Sequence, residues 1–291
     1  MNDRQKAFLA IFLGALFGGA VTTITKIGLM NFPPLTFAFL RFFLASAVIF
    51  PLFIKKYKLS IRQFRDLTPF TLFATLNIIL FIFGIKSTTA TIGQLLYAGT
   101  PFLTGLILYS LFGEKLSVRK NLGIVIGFIG VAIVILLPLL EKGGHFSGDL
   151  TGNLLIAAGV VSWSLYMVFS KKHVKNQSPF LINSTFIFVT TIILLPFFFF
   201  DVIRDHSWIT SINMSSALSV VYVAVFGTVL SYLLNQYAIK HGGSVFAATS
   251  FYLLPVFAFF CAFTLLGEGL TFGLIAGGIL ALIGVFLVTS K

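Results

Sequence analysis

The side chains in this chain that could do chemistry are a small set of polar residues spaced along otherwise apolar sequence. Gln94, Tyr97, Pro101 and Thr104 recur at intervals of three and four, which places them on one face of a helix. Gly18, Thr22 and Lys26 form a similar stripe, as do Thr228, Ser231 and Asn235, and Ser162, Tyr166 and Ser170 with Trp163 beside them. Asn77, Tyr232 and Tyr252 are further polar positions in apolar surroundings. In hydrocarbon such groups are costly and face the interior of a helix bundle. Their amides, hydroxyls and rings suit the binding of a small molecule, and their competing role is hydrogen bonding between helices. Lys26 and Arg41 are the charges that lie inside the apolar stretches rather than at their cytoplasmic-side edges. They could attract a carboxylate or phosphate, or their stems could snorkel to the membrane surface.

Catalysis is poorly served by the same inventory. An intramembrane enzyme needs a buried nucleophile with its base, or metal ligands grouped on facing helices. His145, His173, His206 and His241 all flank apolar stretches, and the single cysteine, Cys261, excludes an intramolecular disulfide and a multi-cysteine metal site. No catalytic residue, metal or cofactor is expected. A sensor or structural protein would show a soluble domain or a large loop, and neither is present in the sequence.

The elements that must position these residues are membrane helices. Of the 291 residues 58% are apolar and 10% charged, against about 25% charged in a soluble domain. At about twenty apolar residues per crossing, ten spans are expected near 7–29, 34–54, 67–85, 90–112, 118–137, 150–171, 179–200, 214–238, 244–266 and 272–289. The first is longer than a signal-peptide core and reads as a retained helix. The net charge of +12 sits in short runs between spans rather than on one soluble face, so nucleic-acid binding is not expected. Lys55, Lys56, Lys58, Arg62, Arg65, Lys115, Arg119, Lys120, Lys171, Lys172 and Lys175 fall on the side of both termini, and only Lys86, Lys142 and Arg204 on the other. The positive-inside rule then puts both termini in the cytoplasm.

Residues 84–135 reappear at 238–289 with a constant spacing of 154. Pro101 matches Pro255, Gly113-Glu114 matches Gly267-Glu268, and Ile129-Gly130-Val131 matches Ile283-Gly284-Val285. The KLSVRK that follows the first Gly-Glu becomes GLTFGL after the second, so three basic residues are lost. Five spans per repeat, an odd number, force the second copy to enter the membrane upside down. The chain is therefore expected to be an all-α polytopic membrane protein of two inverted five-helix repeats, residues 5–137 and 150–290.

Two inverted halves, each with a proline in its fourth helix and a Gly-Glu-x-Leu at that helix's end, resemble the EamA branch of the drug/metabolite transporter superfamily. Pro101 with Gly113-Glu114-Lys115-Leu116 and Pro255 with Gly267-Glu268-Gly269-Leu270 carry the resemblance, and Arg41 and Trp163 fit positions typical of the branch. Phe17 stands where the first helix usually has tryptophan. The resemblance implies a secondary transporter in a bacterial cytoplasmic membrane, with a small molecule and the lipid bilayer as partners and a monomer plausible. Its substrate is expected to be an amino acid or similar zwitterionic or neutral compound, moved outward by alternating access at the midplane. An exporter of cationic toxic compounds is the alternative, and an intramembrane enzyme a remote one. Thr22, Lys26, Arg41, Asn77, Gln94, Tyr97, Trp163, Tyr166, Ser231, Asn235 and Tyr252 are the substrate-binding candidates. Pro101, Pro255, Glu114 and Glu268 are the hinge or gate candidates, because each proline frees the carbonyl four residues earlier, at Tyr97 and Phe251.

No Asp or Glu falls in mid-membrane, although proton-driven carriers place ionisable groups on the pathway. Facilitated diffusion or exchange is expected instead. In proteoliposomes an imposed pH gradient should leave substrate accumulation unchanged; uphill uptake growing with the gradient would refute this.

Overall fold

The computed structural model describes residues 2–57, 61–88, 90–141, 149–266 and 272–290. Among them every regular element is a helix, and they form ten helical runs in chain order, seven of which are by themselves long and apolar enough to cross a membrane. They are α1 (Asp3–Gly28), α2 (Pro34–Lys56), α3 (Ile61–Ser87), α4 (Ala90–Tyr97 continued by Thr100–Phe112), α5 (Val118–Glu141), α6 (Leu150–His173), α7 (Pro179–Arg204), α8 (Met214–Gly242), α9 (Ser244–Ala248 continued by Ser250–Leu266) and α10 (Phe272–Thr289). Each expected span coincides with one of them.

Local sequence sets where they start and stop. Asn2 and Gln5 form a capping box at the head of α1, each side chain accepting the other's backbone N–H at 2.9 Å. Ser178 caps α7 by accepting from the Leu181 N–H at 3.1 Å, and Pro34 and Pro179 open their helices where a missing N–H costs nothing. Gly113 closes α4 with φ +66°. Its N–H donates to Tyr109 at 2.9 Å and that of Glu114 to Leu108 at 3.4 Å, a left-handed cap that favours glycine. This accounts for the glycine of the Gly-Glu motif.

The packing obeys a pseudo-two-fold axis. α5 packs on its repeat mate α10 and α2 on its mate α7, while α1–α8 and α3–α6 are exchanged copies of one contact. With an odd number of crossings per repeat, that axis lies in the membrane plane and the repeats are inverted. The α5–α10 crossing shows it at atomic scale. A methyl group on Gly130 would lie 2.3 Å from the Ala281 nitrogen, and one on Gly284 would lie 2.4 Å from the Gly127 Cα. Residues 127 and 281, like 130 and 284, are mates at the 154 spacing. Small residues let the two backbones touch, as in other membrane helix pairs.

Gly130→Leu should therefore cost about 3 kcal/mol or more by overpacking and lower the melting temperature of detergent-purified protein. Gly278→Ala, where a methyl group meets nothing within 4 Å, should leave it unchanged.

Candidate functional site

Four of the described helices depart from regular geometry, and all four contribute residues at or beside the departure to one cavity. α1 breaks after Gly18, with Gly19 and Ala20 outside its two helical segments. α8 widens into π geometry over Val223–Leu230. There Thr228 Oγ1 donates to the Val223 carbonyl at 2.9 Å, and Ser231 Oγ lies 2.7 Å from that of Phe226, each spanning five residues. α4 breaks at Ala98 and Gly99, so Pro101 opens a new segment instead of kinking a continuous helix. The carbonyl of Tyr97, expected to be left without a helical partner, accepts from Thr100 Oγ1 at 2.5 Å. In α9, Thr249 interrupts the helix and donates its hydroxyl to Phe246 at 2.7 Å.

The cavity lies between the repeats and holds about 1030 Å³ of empty space, its open mouth included. Gly14, Gly18 and Thr22 of α1, Arg41 of α2, Asn77 and Phe81 of α3, and Gln94 and Tyr97 of α4 face it. From the second repeat come Trp163 of α6, Gly227, Ser231, Tyr232 and Asn235 of α8, and Phe251 and Pro255 of α9. The two-fold axis passes through this wall. Tyr97 and Phe251, mates at the 154 spacing, stack on each other with centroids 5.3 Å apart and planes inclined by 26°. Asn77 and Ser231 are mates as well. Asn77 Nδ2 donates to the Gly159 carbonyl at 2.7 Å, and Ser231 Oγ lies 3.3 Å from that of Gly14, so each reaches the first helix of the opposite repeat.

Arg41 dominates the site's electrostatics. It is 1% exposed and is the one buried charged side chain among the described residues. Its Nη2 donates to the Tyr232 hydroxyl at 3.0 Å, and the guanidinium sits 4.9 Å from the Phe42 ring centre. Its Nε has no hydrogen-bond partner, and neither do Trp163 Nε1 and Asn235 Oδ1. No carboxylate lines the cavity among the described residues. Trp163 and Tyr232 pack ring to ring at 5.3 Å, which holds the indole beside Arg41's phenol partner.

Thr22, Arg41, Asn77, Gln94, Tyr97, Trp163, Ser231, Asn235 and Pro255 are thus brought to one wall. Five candidates lie elsewhere. Lys26 is in the last turn of α1, beyond the lining. Tyr166 is fully buried and accepts from Gln236 Nε2 at 2.8 Å, while Ser170 donates to Gln236 Oε1 at 2.5 Å; this network ties α6 to α8. Tyr252 donates to the Ile124 carbonyl at 2.8 Å and lays its ring over Gly127, tying α9 to α5. Pro101 is buried behind the wall. Glu114 accepts a hydrogen bond from Lys171, which joins the ends of α4 and α6, and Glu268 lies outside the described residues.

Helical spacing alone put Thr228 and Thr104 on the cavity stripes. The π turn in α8 shifts the register, so Tyr232 faces the cavity while Thr228 turns into its own helix. The break in α4 similarly turns Thr104 into the core. Tyr232 had been noted only as a polar position off the stripes, and Phe81, Ser250 and Phe251 were missed. Carrying Tyr97 across the repeat would have found Phe251. Phe17 turns from the cavity and packs on Phe226 at 5.6 Å.

Residues 5–136 and 150–290 both match the model of the EamA-like transporter family. A probable amino-acid metabolite efflux pump of Salmonella typhimurium is 30% identical, with 98% of this chain and 95% of that one covered. A protein of the same description from Escherichia coli is also 30% identical over the same shares, and an uncharacterized transporter of Archaeoglobus fulgidus is 27% identical over 100% of this chain and 99% of its own. A protein of known crystal structure has the same fold, with a TM-score of 0.76 at 18% identity over 97% of this chain and 96% of that one. Whole-chain coverage by both repeats, on a ten-helix bundle with a cavity between the halves, makes this chain a membrane transporter and a member of the EamA-like transporter family.

Proposed function

We propose that this transporter exports amino acids or closely related zwitterions from the cytoplasm by alternating access. The observation that carries the reading is the pattern of unmet hydrogen-bonding capacity at the cavity. Two donors, Arg41 Nε and Trp163 Nε1, and one acceptor, Asn235 Oδ1, are buried without partners. A buried polar group left unpaired is costly, so the site is complementary to a ligand with an anionic and a cationic end. A carboxylate suits the planar, permanently charged guanidinium, the indole N–H adds a donor, and the Asn235 oxygen can accept from an ammonium group. The relatives described as probable amino-acid metabolite efflux pumps support the same substrate class and direction.

Alternating access is supported by an asymmetry between the repeats. The α3–α6 contact is made by two unbroken helices, whereas its mate, α1–α8, is made by one broken and one widened helix. In an inverted-repeat carrier the two halves exchange such conformations as the cavity changes sides. Pro255 and the breaks in α1, α4 and α9 are where bending is easiest, because those backbones already lack regular helical bonds. A cationic toxic compound suits the cavity less well, since Arg41 repels it and the described lining offers no fixed anion.

Counterflow in proteoliposomes tests this. Labelled α-amino acids should exchange, while the corresponding amino alcohols and quaternary amines should not. Arg41→Gln should raise KM for amino acids by about 10- to 100-fold, the effect of losing a charge-assisted hydrogen bond. Asn235→Leu should weaken α-amino acids far more than the matching acids without an amino group. Exchange of quaternary amines with no response to amino acids would reverse the assignment.

A further inference from the structure

We infer that this protein is an obligatory exchanger, and that the return leg of its cycle requires a second solute bearing a carboxylate. The inference rests on the reading of Arg41 as the substrate carboxylate's partner and adds what that residue does when no substrate is present. Arg41 is 1% exposed, and the ion pairs among the described residues, Lys6–Asp3, Lys171–Glu114 and His241–Asp3, all lie at helix ends far from it in sequence. Its compensation inside the protein is one neutral phenol, Tyr232, and one ring face, Phe42. The polar lining groups Asn77, Gln94 and Trp163 are uncharged. A guanidinium cannot shed its proton to escape this situation.

The physical consequence appears only when the cavity changes sides. While the cavity is open, the water it admits lies against the wall that Arg41 lines and screens the charge, although the side chain itself is almost wholly buried. To reorient, the carrier must pass through a closed state from which bulk water is excluded. A lone charge in such a medium is heavily penalised, whereas a charge paired with a well-placed carboxylate is not. The loaded carrier therefore crosses with Arg41 paired, and the empty carrier crosses with it bare. Return is slow unless a second carboxylate enters. The Tyr232 phenol and the Phe42 ring that contact Arg41 stay with it in both cases, so the bound anion alone makes the difference.

The experiment compares uptake of a labelled amino acid into proteoliposomes loaded with unlabelled amino acid, with an amino alcohol, with chloride, or with only an impermeant buffer anion. Wild-type uptake should be at least about ten-fold faster with luminal amino acid than in the other three cases, the ratio that a barrier difference of one charge-assisted contact implies. Arg41→Gln should reduce that ratio to about two or less as its KM rises, because a bare amide can cross empty. Arg41→Lys retains the charge and should retain the ratio despite weaker binding, which guards against a variant that fails to fold. Equal wild-type rates with and without luminal solute would overturn the exchange mechanism while leaving the substrate reading intact. Acceleration by chloride alone would overturn the requirement for a carboxylate. Absence of both exchange and ligand-induced thermal stabilisation with every amino acid would overturn the substrate reading instead.

Discussion

In hydrocarbon every backbone N–H and C=O must find a partner within the protein, and this constraint governs how the molecule can contain a cavity at all. Regular helices satisfy it but leave no room for a binding site between the repeats. This protein opens its bundle by breaking or widening α1, α4, α8 and α9, and side-chain hydroxyls bond carbonyls at or beside each departure. Thr100 bonds Tyr97, Thr228 bonds Val223, Ser231 serves Phe226, Thr249 bonds Phe246, and Tyr222 reaches across from α8 to Phe17 in the break of α1. Much of the polarity scattered through these apolar helices is there to make irregular backbone tolerable. Only part of it remains to meet a ligand.

Two-fold symmetry supplies the frame and its violation supplies the site. Gly127, Gly130, Ala281 and Gly284 hold α5 against α10 so closely that these two helices form a rigid seam. Tyr252 anchors α9 to that seam through the Ile124 carbonyl and the surface of Gly127. Around the fixed seam, α1 and α8 are irregular where their mates α6 and α3 are not. In the alternating access proposed above, the symmetric elements are those that stay the same in both orientations, and the asymmetric ones are those that exchange.

Arg41 has no counterpart in this symmetry. In the second repeat its place falls near Phe186 and Ile187, both fully buried and apolar. Phe186 packs at 5.3 Å against Tyr232, the residue that holds Arg41. One repeat thus contributes the charge and the other the aromatic setting, so a ligand would contact both halves at once. That arrangement couples ligand chemistry to the relation between the halves, which is what a carrier must do.

Much of this was legible in the amino-acid sequence. Ten apolar stretches, the basic residues between them and the 154-residue spacing were enough for the crossings, the inverted repeats and the family, because hydrophobic length and charge placement are local properties that the bilayer reads directly. The choice of cavity residues was only partly legible. Gln94, Tyr97 and Asn235 were found by helical spacing and Trp163 beside such a stripe, but spacing also pointed to Tyr166 and polarity alone to Tyr252, whose hydroxyls are spent on Gln236 and Ile124. Spacing left Tyr232 off the α8 stripe, where a π turn shifts the register, and Phe251, an apolar residue just past the Thr249 interruption, was missed. By itself the sequence determined how many times the chain crosses and in what symmetry; only the tertiary structure decided which polar groups are satisfied by neighbours and which, like Arg41 Nε, are left open. The physical reason is that burial and hydrogen-bond pairing belong to contacts between distant residues, which no periodicity along one helix can reveal.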